Sequence, residues 1–94
     1  MKIFLTSRAG RNYDSIKFYI RAEWGDNTES EFVQKVGALF NLLKMYPAMG
    51  QVEKDDIRGF QISSQIRILY RTRGEKIIII SFFDVRQNPK KKFG

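Results

Sequence analysis

The hydrophobic pattern of the chain changes near its middle, and this change limits the folds that the chain can adopt. Over residues 9–46 apolar residues recur every three or four positions, which is the period of an amphipathic helix. Gly25 interrupts this stretch, so the pattern predicts two helices joined by a short turn. Over residues 57–86 apolar residues alternate with polar ones or form short unbroken runs, which is typical of strands.

Local signals place the ends of these elements. Residues 3–6 read as a short strand ahead of the first helix. Thr28 and Glu31 have the spacing of a capping box, which predicts that the second helix begins after Thr28. Pro47 ends that helix, because proline disfavours helical backbone at the residue before it. Residues 49–56 are acidic and are predicted to form a loop.

The element order predicts an α+β fold, β-α-α-β-β-β, in which an N-terminal strand and an antiparallel helical hairpin pack on a C-terminal antiparallel sheet. A chain of 94 residues has room for one core, so we expect a single domain. Tyr13, Trp24 and Tyr46 are expected to pack within the core or the hairpin. Within the domain, residues 1–94, we assign a strand to 1–6, the helical hairpin to 9–46, antiparallel strands to 57–86 and a basic tail to 87–94.

The composition excludes several classes of chemistry. The chain has no cysteine and no histidine, so disulfides, thiolate nucleophiles, zinc sites and serine–histidine triads are excluded, and we expect no cofactor. The first residues lack the pattern of a signal peptide. The longest apolar run, residues 77–80, is far too short to span a bilayer. We therefore expect a cytoplasmic protein with no membrane contact.

The positive charge is concentrated in the C-terminal part of the chain. The net charge is +7, and residues 57–94 hold nine basic and only two acidic side chains. This distribution favours a polyanionic partner, either a nucleic acid or an acidic protein segment. An ordinary solvated surface explains the charge equally well.

A two-residue turn at Gly74 would pair Arg73 with Lys76 and, counting back, Arg67 with Phe82. Opposed residues share one side of a sheet. One face, which we call the arginine face, is then predicted to carry Arg67, Leu69, Arg71, Lys76, Ile78, Ile80, Phe82, Asp84 and Arg86. The other face is predicted to pack on the helices through Ile66, Ile68, Tyr70, Ile77, Ile79 and Phe83. Arginines beside aromatic rings suit RNA, because guanidinium binds phosphate and rings stack on bases; plain solvent-facing arginines are the alternative.

Two long stretches resemble known toxins. The sequence IKFYIRAEWGDNTESEFVQKVGALFNLLKMYPAMG resembles the helical hairpin of the RelE/ParE superfamily. The sequence QIRILYRTRGEKIIIISFFDVRQNPKK, with Arg67 and Tyr70, resembles the paired last strands of these toxins. Its ending, FFDVRQNPKK, is similar to that of plasmid stabilisation proteins. Together these stretches cover nearly the whole chain.

The resemblance implies the toxin of a type II toxin–antitoxin (plasmid stabilisation) module, silenced by a cognate antitoxin. RelE-like members cut messenger RNA in the ribosomal A site, so the ribosome and mRNA would be partners. For such a ribosome-dependent endoribonuclease, the resemblance implies that Arg67 positions the substrate and that Arg86 stabilises charge developing on phosphorus. The residues then expected to bind RNA or a partner are Arg71, Tyr70, Phe82, Lys90, Lys91 and Lys92.

Some positions depart from the RelE pattern. Gln61 and Ser63 stand where lysines precede the last hairpin, and Lys92 and Phe93 stand where a C-terminal tyrosine would fall. ParE-like members keep the fold, lack much of this machinery and poison DNA gyrase. Three functions stay open: an endoribonuclease, which we expect first, a non-enzymatic gyrase inhibitor, or a degenerate member that keeps only antitoxin binding. In each case the apolar side chains of the arginine face predict that an acidic antitoxin tail covers it.

Overall fold

The computed structural model describes residues 1–85, which form two helices and five strands. The predicted α+β fold, a helical hairpin packed on a sheet, is confirmed. Along the chain the elements are β1 (Lys2–Leu5), α1 (Ser7–Trp24), α2 (Asp26–Met45), β2 (Gln51–Lys54), β3 (Ile57–Gln61), β4 (Ile66–Arg73) and β5 (Lys76–Asp84). Neither α1 nor α2 is long and apolar enough to cross a membrane.

The sheet is mixed and contains one strand more than the sequence predicts. Its strand order is β1-β5-β4-β3-β2, with β1 parallel to β5 and every other pair antiparallel. The prediction of a loop over residues 49–56 is wrong for residues 51–54, which form β2 at one edge of the sheet. An edge strand is short and carries polar residues because only one of its sides is paired, so its sequence resembles a loop.

The helical hairpin has a tighter turn than the capping box predicts. That prediction is wrong, because α2 begins at Asp26 and the Thr28 hydroxyl donates instead to the Trp24 carbonyl, at 3.4 Å. Gly25, with φ of 95°, adopts a conformation that L side chains rarely allow, and it reverses the chain within one residue. At the other end of α1, the Thr6 hydroxyl accepts from the Ala9 amide and donates to the Ile80 carbonyl, which fixes the helix start to β5.

The core lies between the hairpin and one face of the sheet. Tyr13 packs there as predicted, with ring centroids 5.3 Å from Phe82 and 5.9 Å from Phe32. Trp24 and Tyr46 do not, since they are 67% and 59% exposed. Trp24 is exposed because the inner face of α1 becomes progressively more exposed toward the end of the helix. Tyr46 is exposed because it follows the last turn of α2, where helical periodicity no longer directs its side chain inward. The buried hydrophobic cluster consists of Ala9, Phe32, Val36, Leu39, Leu43, Ile66, Ile68, Tyr70, Ile77, Ile79 and Phe82.

The pairing of β4 with β5 begins as predicted and then shifts by one residue. Arg73 pairs with Lys76, but the register changes between Leu69 and Tyr70, whose partners are Ser81 and Ile79. Ile80 is therefore the extra residue of a β-bulge, and a one-residue shift sends every later side chain to the opposite face. The predicted place of Phe82 on the arginine face is wrong. It lies in the core, and Phe83 pairs with Arg67 on the arginine face instead.

Candidate functional site

The arginine face is the side of the sheet that the helices leave uncovered. On β4 and β5 it consists of Arg67, Leu69, Arg71, Arg73, Lys76, Ile78, Ser81 and Phe83. The structure brings Arg67 and Arg71 together on one strand, as the sequence predicts. Leu69, between them, is only 1% exposed. The predicted apolar surface is therefore smaller by Leu69, which is buried, whereas Phe83 takes the place predicted for Phe82.

The guanidinium of Arg67 is bound by neighbouring side chains. Its Nη2 lies 3.3 Å from Oε2 of Glu53 and its Nε donates to Oε1 of the same carboxylate at 3.4 Å. The remaining Nη1 donates to the Gln61 amide oxygen at 3.3 Å. Both charged side chains are largely buried, with 16% exposure for Arg67 and 14% for Glu53. The carboxylate therefore occupies the side of the guanidinium that would otherwise grip a phosphate.

Two features of the edge strands make this pair possible. A Cβ at Gly59 would lie 2.8 Å from Nε of Arg67, so the glycine leaves room for the arginine side chain to lie across β3 toward β2 in this conformation. The pairing of β2 with β3 shifts between Val52 and Lys54, so Glu53 occupies a bulge. Bulges redirect side chains, and this one places the Glu53 carboxylate against Arg67.

Asp56 binds the other two arginines of the face. Its Oδ1 lies 3.4 Å from Nη2 of Arg71, and its Oδ2 accepts a short hydrogen bond from Arg73. This hydrogen bond, together with the charges of both arginines, holds the pKa of the Asp56 carboxyl below its usual value. Asp56 lies in the turn between β2 and β3, where Asp55 adopts a left-handed φ of 52°. One hairpin thus supplies carboxylates to all three arginines.

Tyr70 stabilises the connection between α2 and β2. Its side chain is wholly buried on the helix side of the sheet, as predicted. Its hydroxyl accepts from the Gly50 amide at 2.8 Å and donates to the Pro47 carbonyl at 2.9 Å. Arg58 donates to the carbonyls of Ala48 and Gly50 beside it. These contacts occupy the Tyr70 hydroxyl fully, so we assign it a structural role and do not propose that it binds RNA.

Stability at alkaline pH is expected to depend on Tyr70. Burial raises the pKa of its phenol, although the Gly50 amide and the charge of Arg58 oppose the shift. The folded state then holds the proton more tightly than the unfolded chain, whose tyrosine pKa is about 10. This contribution is complete below pH about 10 and is lost as the pH rises through the raised folded value.

Urea unfolding at neutral and alkaline pH tests this expectation. Tyr70→Phe should lose about 1–3 kcal/mol at neutral pH, because the Gly50 amide loses its acceptor. The variant should also lose less further stability than the parent protein above pH about 10. Tyr19→Phe, at a site that is 53% exposed, is the control and should behave like the parent at both pH values. Equal stability of Tyr70→Phe and the parent would contradict the role of the hydroxyl.

A groove lies between the C-terminal part of α1, the first half of α2, the start of β4 and the end of β5. Its volume is about 710 Å³. Trp24 and Tyr19 line it and remain mostly exposed, whereas Phe82 forms part of its buried wall. Charged side chains, including Lys35 and Asp84, also line it. The groove therefore combines exposed aromatic rings, an apolar wall and charged groups, as partner-binding surfaces often do. Its remaining apolar lining is formed by Ile16, Ile20, Phe32, Ile66 and Phe83.

The comparison with protein families identifies the chain. Residues 3–89 match the model of the ParE toxin of the type II toxin–antitoxin system parDE. The chain belongs to the ParE toxin family. It is therefore the toxin component of a type II toxin–antitoxin system, within the ParE/RelE superfamily that the sequence resembles, and the family implies an antitoxin as its partner.

Solved structures share the fold of this ParE-family toxin at low sequence identity. The chromosomal ParDE system from P. aeruginosa is 19% identical, with a TM-score of 0.77 over 92% of this chain and 97% of that one. The YoeB/ParE toxin from Agrobacterium tumefaciens is 20% identical, with a TM-score of 0.68 over 89% and 98%. The YoeB dimer from Staphylococcus aureus is 16% identical, with a TM-score of 0.65 over 93% and 98%. No curated protein matched the sequence.

Part of the predicted site of this ParE-family toxin lies outside the described residues. Arg86, predicted to be catalytic, and Lys90, Lys91 and Lys92, predicted to bind RNA or a partner, all follow residue 85. Their roles stay predictions. The partners of the arginines, Glu53 and Asp56, were missed because residues 49–56 read as a loop. The available signal was the presence of acidic side chains just before a run of strands that is rich in arginine.

Proposed function

We propose that this ParE-family toxin acts in the cytoplasm by binding DNA gyrase, without cleaving RNA, and that a cognate antitoxin neutralises it. The main support is found on the arginine face, where the carboxylates of Glu53 and Asp56 form ion pairs with Arg67, Arg71 and Arg73. Cleavage of an RNA phosphodiester needs cations placed to receive charge that develops on phosphate, and a group placed to take a proton. Within residues 1–85, the arginines of this face are committed to carboxylates.

Gln61 and Ser63, which stand where RelE-like toxins have lysines, form hydrogen bonds that stabilise the local structure. Gln61 accepts from Arg67 and donates to the Ser63 carbonyl. The Ser63 hydroxyl accepts from the amides of Gln65 and Ile66, which shapes the turn before β4. These contacts favour a binding toxin over the ribosome-dependent endoribonuclease, which stays the rival outcome in the tests.

A paired substitution separates the two mechanisms. Glu53→Gln combined with Arg67→Gln replaces the ion pair by two amides and leaves no buried charge unpaired. If the toxin works by binding gyrase elsewhere on its surface, this variant should inhibit gyrase supercoiling as strongly as the parent. Supercoiling assays with purified protein and ribosome-dependent mRNA cleavage assays should be run in parallel. Cleavage by the parent that disappears in the variant, with gyrase unaffected by both, would contradict the proposal.

We propose that an antitoxin segment docks in the groove beside α1. Its exposed aromatic rings can anchor apolar side chains of a partner, since tryptophan and tyrosine are enriched among residues that dominate binding energy. The charged lining of the groove (Glu31, Lys35 and Asp84) carries both signs, so the exposed aromatic rings, and not the net charge of +7, support docking at this place. On the arginine face, where the sequence predicts the antitoxin, Leu69 is buried and adds no apolar surface, and Phe83 takes the place that is predicted for Phe82.

Trp24→Ser is expected to weaken antitoxin binding by about 2 kcal/mol, roughly thirtyfold in Kd. Trp24 is 67% exposed, so the fold should remain intact. Phe18→Ser is the matched control, because Phe18 is 65% exposed on the same helix but does not line the groove. Calorimetric titration of each variant with the cognate antitoxin measures the difference. If both variants bind like the parent, or if both lose affinity equally, the groove is not the docking site.

A further inference from the structure

The β2–β3 hairpin supplies a carboxylate to every arginine that β4 places on the arginine face. Glu53 faces Arg67, and Asp56 is shared by Arg71 and Arg73. Three positive charges meet two negative ones, so the cluster retains a net charge of about +1. The charge of these three arginines is thus largely neutralised by carboxylates from a single hairpin.

Carboxylate and phosphate compete for the same part of an arginine. The guanidinium presents its N–H donors in a fixed fork, and both anions accept from two of these donors at once. Glu53 accepts from Nε and Nη2 of Arg67, at 3.4 Å and 3.3 Å. A phosphate could bind this side of Arg67 only after displacing Glu53.

The Arg67–Glu53 pair differs from an ordinary surface ion pair. Both side chains are mostly buried, Gly59 leaves room for them to meet, and Glu53 lies at a bulge. The Arg71 Nε is buried and has no hydrogen-bond partner among the described residues. Arg71 therefore has a donor left over while Asp56 occupies its Nη2.

We propose that Glu53 and Asp56 determine ligand specificity by excluding nucleic acid from the arginine face. Glu53 fills the Nε–Nη2 side of Arg67, and Asp56 binds one nitrogen of Arg71 and one of Arg73, so a phosphate backbone would have to compete with a carboxylate at each arginine. This inference rests on the proposed function in one respect, since both take the arginine face to lack a working phosphate site. It predicts that the face can bind RNA once the carboxylates are neutralised.

The test compares RNA binding by the full-length parent and by Glu53→Gln/Asp56→Asn, using fluorescence anisotropy with a labelled single-stranded RNA. The amides keep hydrogen-bond acceptors for the arginines but remove the charge. The double variant should bind about tenfold more tightly than the parent at low salt, because charged hydrogen bonds to phosphate would replace weaker ones to neutral amides, whereas in the parent they must replace charged ones to carboxylates. Its affinity should also fall more steeply with salt, by about 0.7 in log–log slope for each added phosphate contact.

A charge-matched variant separates a specific effect from a change in net charge. Glu23→Gln/Asp26→Asn also removes two negative charges, from exposed positions at the tip of the helical hairpin. It should gain little affinity. Adding Arg71→Gln to the first double variant should cancel much of its gain. If circular dichroism shows that Glu53→Gln/Asp56→Asn does not fold, Asp56→Asn alone can be measured instead, because Asp56 lies in an exposed turn. This single variant should bind RNA more tightly than the parent, by a smaller factor.

Two outcomes would overturn the inference: equal RNA affinity of the parent and the double variant, or an equal gain in the charge-matched variant. Gyrase assays on the same proteins keep the two proposals apart. A parent that inhibits gyrase, with no RNA gain in the double variant, refutes this inference alone. A parent without effect on gyrase, with a specific RNA gain in the double variant, refutes the proposed function alone.

Discussion

Gly50→Ala is expected to destabilise the protein by about 2–4 kcal/mol. A Cβ at Gly50 would lie 2.7 Å from the Tyr70 hydroxyl oxygen and 2.9 Å from the Gly59 carbonyl oxygen. Tyr70 is wholly buried and the Gly59 oxygen belongs to the backbone, so neither can move away cheaply. The methyl group would also disturb the hydrogen bond from the Gly50 amide to Tyr70.

Urea unfolding measures this loss, and another glycine provides the control. At Gly37, within α2, a Cβ would meet nothing within 4 Å. Gly37→Ala should therefore stabilise the protein by up to about 1 kcal/mol, through helix propensity alone. Gly50→Ala combined with Tyr70→Phe should cost less than the sum of the single changes, because both act on one contact. Unchanged stability of Gly50→Ala would contradict the close packing at this loop.

Phe82→Ala is expected to cost about 3–5 kcal/mol. Phe82 is 2% exposed and stacks on Tyr13. Its backbone amide donates a hydrogen bond to the side-chain oxygen of Asn12, at 3.2 Å. Removing the ring would leave a cavity between α1 and the sheet. The neighbouring Phe83→Ala should cost about 1 kcal/mol, because Phe83 is only half-buried on the arginine face.

These two phenylalanines report the position of the β-bulge at Ile80. The regular pairing that the sequence predicts would put Phe83 in the core and Phe82 on the arginine face, and would reverse the order of the two losses. Denaturation midpoints of both variants, measured under one set of conditions, settle the order. A larger loss for Phe83→Ala would show that β5 continues past Ile80 without a bulge.

Local patterns explain what the sequence predicts correctly. The helical periodicity of residues 9–46, the turn at Gly74 and the pairing of Arg73 with Lys76 all depend on residues close together in the chain. The bulge could not be predicted this way. Residues 77–80 are all isoleucine and phenylalanines follow at 82 and 83, so either register places apolar side chains on both faces. Tertiary contacts, such as that between Phe82 and Tyr13, select one register.

The missed parts of the site depend on residues that are distant in sequence. Glu53 lies 14 positions from Arg67, and no local spacing rule links an edge-strand carboxylate to an arginine two strands away. The room that Gly59 leaves for the Arg67 side chain is likewise visible only in the folded structure. Helical spacing predicts that Trp24 lies on the inner face of α1. The folded structure shows instead that Trp24 is exposed and lines a groove.

Pulse labelling after tightly induced expression in a bacterial host tests the central claim most directly. It compares incorporation of labelled thymidine and labelled methionine during the first minutes of induction. A toxin that binds gyrase should produce an early, selective fall in thymidine incorporation, with methionine incorporation following later. An early, selective fall in methionine incorporation, accompanied by cleavage of ribosome-bound messenger RNA, would contradict the claim and make the arginine face an active site.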